Sequence, residues 1–111
     1  MDPMPDKREH LRVPLRMPVS CELEGSAVID GLATDMSLRG SRIECAELPG
    51  FGVQVTIVVH LPGEKEASRL PATVCWTKPG CFGVRFGLLG ARDTYRIADL
   101  MGRSFRSDAT R

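Results

Sequence analysis

The chain has 111 residues, enough for one domain with an ordinary hydrophobic core and no need of disulfide or metal staples. Its basic and acidic residues nearly cancel to a net charge of +1, so no overall field draws in a nucleic-acid polymer or a membrane, and any anion site has to be local. Aromatic residues are 5% of the chain, too few for a single-strand stacking platform, and no apolar run is long enough to cross a bilayer.

Residues 1–6 carry two prolines and two acids without periodicity, and a disordered lead is expected there. The charged N-terminus lacks the apolar centre of a signal peptide, which predicts a cytoplasmic protein without membrane insertion. A basic cluster follows, Lys7-Arg8-Glu9-His10-Leu11-Arg12, running into Val13-Pro14-Leu15-Arg16. It contains an Arg-x-x-x-Arg spacing twice, as Arg8/Arg12 and as Arg12/Arg16. The stretch up to Val13 is poor in apolar residues, so the sequence predicts an arm that only a ligand would order.

From Leu15 the pattern alternates, with Leu15, Met17, Val19, Cys21 and Leu23 on one face, and Pro14 and Pro18 suggest a sheet edge or a bulge. Gly25-Ser26 marks a turn, and residues 27–34 read as the second strand with a bulge at Gly31. Residues 41–46 make a short third strand. After the Leu48-Pro49-Gly50-Phe51-Gly52 break, residues 53–61 alternate most clearly, through Val53, Val55, Ile57, Val59 and Leu61. A polar loop over 62–69 leads to a strand at 70–78, which places Leu70, Ala72, Val74 and Trp76 on one face. Pro79-Gly80 then turns the chain into 81–86, with Phe82, Val84 and Phe86 inward. Six short strands at this spacing predict an all-β, six-stranded antiparallel β-barrel. The period then becomes helical: with Asp93 as N-cap, Ile97, Leu100 and Met101, joined by Leu89 and Phe105, form an apolar stripe that would plug one barrel mouth. The expected organisation is a lead at 1–6, one domain over 7–105 and a tail at 106–111.

Between the second and third strands stands Asp35-Met36-Ser37-Leu38-Arg39-Gly40. Asp and Ser side chains accept hydrogen bonds from nearby backbone N–H groups, holding a turn while facing outward. Gly40 closes it where either a positive φ or a close backbone approach excludes a Cβ. Upstream, the paired arginines offer planar forks that take phosphate oxygens or the O6/N7 edge of guanine and stack on flat rings, and an Asp or Ser opposite takes guanine N–H donors.

Arg8-x-x-x-Arg12 followed by Asp35-x-Ser37-x-x-Gly40 resembles the two-part signature of the PilZ domain, the bacterial receptor module for cyclic di-GMP. The likeness continues through Val74-Cys75-Trp76 and Gly83-Val84-Arg85-Phe86 and extends from Lys7 to the C-terminal helix. The chain departs from the family at Leu11, where a proline often precedes the second arginine, and at Lys7, where many members carry another arginine. The resemblance implies a PilZ-like split barrel and a cyclic di-GMP site made by Arg8, Arg12, Asp35, Ser37 and Gly40, with Arg16, Arg39 and Arg42 as second-rank phosphate contacts. It also implies relay of the signal to an effector protein controlling motility, exopolysaccharide or a related output, by a monomer or weak homodimer.

Other chemistry finds little support. Cys21, Cys45, Cys75 and Cys81 have no Cys-x-x-Cys spacing, and His10 and His60 add no metal-ligand pattern, so neither metal nor cofactor is expected. Cys75 and Cys81 flank the Pro79-Gly80 turn and could face each other, but in a reducing compartment they read as small packing residues. No nucleophile motif, phosphate loop or acid–base pair points to an enzyme. Trp76 reads as a core residue first and a guanine-stacking face second. Arg85 is expected to face outward. Two rivals to the receptor reading are a ligand-independent interaction module and an RNA-binding barrel, the latter opposed by the neutral charge and scarce aromatics.

Overall fold

A computed structural model describes residues 13–109; the expected lead and the Arg8/Arg12 motif lie outside the described residues. Six strands form a closed antiparallel barrel: β1 (Val13–Leu23), β2 (Val28–Met36), β3 (Gly40–Glu44), β4 (Gln54–Val59), β5 (Ser68–Lys78) and β6 (Cys81–Phe86), in the order β1-β2-β3-β6-β5-β4. One helix, α1 (Ala91–Ala109), follows. The fold expected from the alternating pattern is the fold observed.

The core is what the period-two pattern dictates. Cys21, Ile43, Val55, Ile57, Val59, Leu70, Val74, Phe82 and Val84 all point inward and are buried. Ile97 and Leu100 of α1 join them, with Leu89 and Met101 packed alongside, so the helix covers the barrel as its stripe predicts. It starts two residues before Asp93, which therefore lies in its first turn, and it runs to Ala109. The loop between β4 and β5 holds it in place: Glu64, mostly buried, takes Arg96 Nε at 2.6 Å and Arg92 Nη1 at 3.5 Å.

The sequence misplaces two features of the strands, both through bulges. Gly31 pairs with Val19 in unbroken register, so it is not a bulge. It is small because a Cβ there would lie 2.7 Å from the Ile43 methyl and 2.8 Å from the Glu44 carbonyl of β3. The register shifts instead beside Thr34, between Ala33 and Asp35 on the β3 side and between Pro14 and Met17 on the β1 side. The second feature is Trp76. A shift between Val74 and Trp76 makes Cys75 the extra residue and sets Trp76 opposite Gly83, outside the barrel rather than with Leu70, Ala72 and Val74.

Candidate ligand site on the outer face of the barrel

Residues either side of a regular strand position share a face, so inward-facing Ala33 would carry Asp35 inward, and Val74 would carry Trp76 inward. The bulges reverse this, as bulges beside functional sites do when they re-aim a side chain. Asp35 then pairs with exposed Arg42, Arg42 with Gly83, and Gly83 with Trp76. On its other side Asp35 pairs with Pro14 of β1. One outward row, Pro14–Asp35–Arg42–Gly83–Trp76, thus crosses five strands, a span on the order of 20 Å at the usual inter-strand spacing. Its first residue follows Arg12 in the chain by two positions. The next row carries Gly40, Arg85 and Thr73.

Two hydroxyls fix the rim of this face. Ser37, 1% exposed, accepts the N–H groups of Arg39 and Gly40 at 3.0 and 3.1 Å, while its own N–H donates to the Gly40 carbonyl at 2.9 Å. Ser41, fully buried, donates to the Asp35 carbonyl at 2.7 Å. Ser37 therefore faces the turn it holds rather than solvent. Asp35 is half-buried, and its Oδ1 accepts the backbone N–H of Arg42 at 2.9 Å. Gly40 has no positive φ; of the two sequence-based reasons for a glycine, close approach is the operative one, because a Cβ would run into the Val84 carbonyl of β6.

Gly83 is a glycine for a related reason: the Trp76 indole lies where its Cβ would be. The ring is half-buried on that floor, and Lys78 Nζ stands 5.4 Å from its centroid. Arg42 extends the other way, its Nη2 3.5 Å from Cys81 Sγ. That sulfur first, and Glu44 and Asp35 after it, hold the Arg42 guanidinium above its ordinary pKa. Arg39, at the turn tip, and Arg85 are exposed on the same side, and Arg16 is exposed on β1 within the shifted stretch. The four described cysteines are free thiols; Cys75 is directed at the Gly83 carbonyl and Cys81 at Arg42.

The structure thus brings Asp35, Ser37 and Gly40 together with Arg42 and Trp76, whereas Arg8 and Arg12 fall outside the described residues. Sequence reasoning set Trp76 inside; the signal it had was Gly83, an isolated glycine within a strand, which marks a bulge or a close approach. A separate groove of about 390 Å³, lined by Glu22, Gln54, Thr56, Pro71 and Thr73, holds none of the motif residues. Among the described residues no cluster of His, Cys, Asp or Glu is placed to hold a metal ion, and no helix is long and apolar enough to cross a membrane.

The sequence profile of the PilZ domain matches residues 6–101. The chain belongs to the PilZ domain family. No curated protein sequence matches it. Solved structures do: the PilZ domain of CeSA from a cellulose-synthesizing bacterium is similar at 22% identity and a TM-score of 0.66, over 81% of this chain and 93% of that one. MotI/DgrA, the Bacillus subtilis inhibitor of motility, is 17% identical with a TM-score of 0.69, covering 100% of this chain and 58% of its own. YcgR from Escherichia coli, solved in complex with c-di-GMP, is 17% identical with a TM-score of 0.68, over 94% of this chain and 50% of its own. This PilZ chain therefore spans nearly all of the first and only about half of the other two. At these identities the likeness is one of fold.

Proposed function

We propose that this PilZ protein is a receptor for cyclic di-GMP that passes the occupancy of its site to an effector protein. The observation that carries the reading is the outward row from Pro14 to Trp76, in which two bulges turn an acid and an aromatic ring to the same face, beside the strand that continues the Arg8/Arg12 motif. Cyclic di-GMP presents two guanine bases and two phosphodiesters, so a site for it needs planar cations, an acceptor for guanine N–H groups and a surface for a flat ring. Arg8 and Arg12 supply the forks, taking phosphate or the guanine O6/N7 edge. Asp35 presents a carboxylate on this face, the kind of acceptor that guanine N–H donors need. Ser37 and Gly40 act through the shape of the rim, and Trp76 offers its outer ring face for stacking.

Support for the ligand comes from the family and from YcgR, whose structure contains it. The output, whether motility, surface polysaccharide or another process, belongs to the effector. As a receptor, the chain would bind its ligand without turning it over.

Calorimetry with cyclic di-GMP, with GTP and a short RNA as controls, tests the reading. Only cyclic di-GMP should bind. Arg8→Ala and Arg12→Ala should each cost about 1.5–3 kcal/mol, the worth of a charge-assisted hydrogen bond. Arg16→Ala should cost clearly less. Folded protein that gives no heat with cyclic di-GMP would replace the receptor with the ligand-independent interaction module.

A further inference from the structure

Arg42 and Cys81 form a pair that the proposed site does not yet use. Register puts Cys81 on the outer face, opposite Glu44 on one side and Lys78 on the other, one row from Gly83. Yet Cys81 is only 5% exposed, and Arg42 Nη2 donates to its sulfur at 3.5 Å. Arg42 itself is anchored in the Asp35 row by its backbone N–H, which donates to the Asp35 carboxylate, so only its side chain has a choice of direction. In this structure the guanidinium lies over the thiol.

A sulfur is a weak acceptor, whereas a phosphate oxygen takes a guanidinium through short, paired, charge-assisted bonds. The two partners compete for one fork, and the phosphate is the stronger. We infer that Arg42 is a further ligand-contact residue that rests on the Cys81 sulfur and leaves it for a ligand phosphate, so that occupancy of the site uncovers the Cys81 thiol. This rests on the cyclic di-GMP reading. Linkage makes the coupling reciprocal: a small adduct on Cys81 that forms only when Arg42 has swung away favours the conformation that holds the ligand.

The test is iodoacetamide alkylation of wild-type protein with and without saturating cyclic di-GMP, read at each cysteine by peptide mass spectrometry, with calorimetry on the same sample. Alkylation joins the thiolate sulfur to the acetamide carbon and releases iodide, the thiol proton going to buffer; because the rate also follows the thiolate fraction, rates are compared across a pH series, which separates exposure from ionisation. Cys81 should react several-fold faster in the bound protein, while Cys21, enclosed inside the barrel, serves as the reference for general opening and keeps its slow rate. In Arg42→Ala, Cys81 should react fast with or without ligand, and the affinity should fall about tenfold, which is ~1.4 kcal/mol. Measured binding with an unchanged or slower Cys81 rate would overturn the Arg42 assignment alone. Absence of binding in the wild type would overturn the receptor reading and this inference together.

Discussion

Along β6 the inward residues Phe82, Val84 and Phe86 are buried and apolar, whereas the outward positions between them hold Gly83 and Arg85. On β3 the contrast repeats, with Ile43 and Ser41 inside and Gly40 and Arg42 outside. Packing explains the inner face, since each residue fills a share of one close-packed core. It does not ask for the outer one. A glycine within a strand costs roughly 0.5–1 kcal/mol relative to alanine, and here two sit on neighbouring strands among arginines. Gly40 is required because β3 and β6 approach too closely for a side chain, and Gly83 because Trp76 occupies its place. Where the outer face departs from a plain polar surface, the cause is a close approach of backbone or ring rather than the filling of a core.

The sharpest way to break this contrast is to put a side chain at Gly40. Its neighbour is the Val84 carbonyl, which is backbone and cannot swing away. Gly40→Val should therefore cost about 3 kcal/mol of stability, the upper end of ordinary overpacking, and reach the core although the substitution faces outward. Urea unfolding measures it. A loss under about 1 kcal/mol would mean that β3 and β6 part easily and that the outer face is less tied to the core than this reading holds.

That comparison also marks what the sequence could reveal. The inner face was legible because inward residues recur at period two wherever no bulge intervenes, as Val55, Ile57 and Val59 or Phe82, Val84 and Phe86 do. The Asp35-x-Ser37-x-x-Gly40 motif was legible as a turn, because a serine three residues before a glycine suits backbone capping. The burial of Ser37 was not, since serine belongs to the residues usually found at the surface. Thr34 and Cys75 carry no mark of a bulge in their own residue types, so the parity they reverse was lost, and only Gly83, opposite Trp76, hinted at it. Arg42 was legible as a second-rank phosphate contact, but its contact with Cys81 was not, because that sulfur lies 39 residues away.

A second prediction concerns the inner face and has an intermediate size. Cys21 is 1% exposed inside the barrel, and burial, helped by nearby Cys45, pushes its thiol from 9.0 up to about 11. Because the folded value is the higher one, the fold favours the protonated thiol. Its contribution is fully present below pH 9 and is lost as pH rises from about 9 through 11. The two-unit difference corresponds to about 2–3 kcal/mol across that window. Urea midpoints from pH 8 to 11 should fall more steeply for the wild type than for Cys21→Val, which puts a non-titrating apolar residue there. Parallel curves would show that the thiol ionises without cost, and that the inner face is wetter than its burial implies.

The smallest effect should come from disturbing the outer row without touching the core. In Gly83→Ala the new methyl meets the Trp76 indole, a side chain on the surface that can move, rather than backbone. Stability should change by less than about 1 kcal/mol, because what is lost is one exposed ring contact and the Lys78 cation–π interaction, worth ~0.5–1 kcal/mol. The ring itself should leave the row. Trp76 is the chain's one tryptophan, so its emission reads that displacement directly, and a shift to longer wavelength is expected as the indole becomes more exposed. If the ring face serves for stacking, cyclic di-GMP should also quench the wild-type emission, and the variant should bind more weakly while unfolding at nearly the same urea concentration. Emission unchanged by the substitution would mean that the indole does not rest on Gly83 in solution. Normal affinity with a shifted emission would keep the geometry and remove Trp76 from the ligand site.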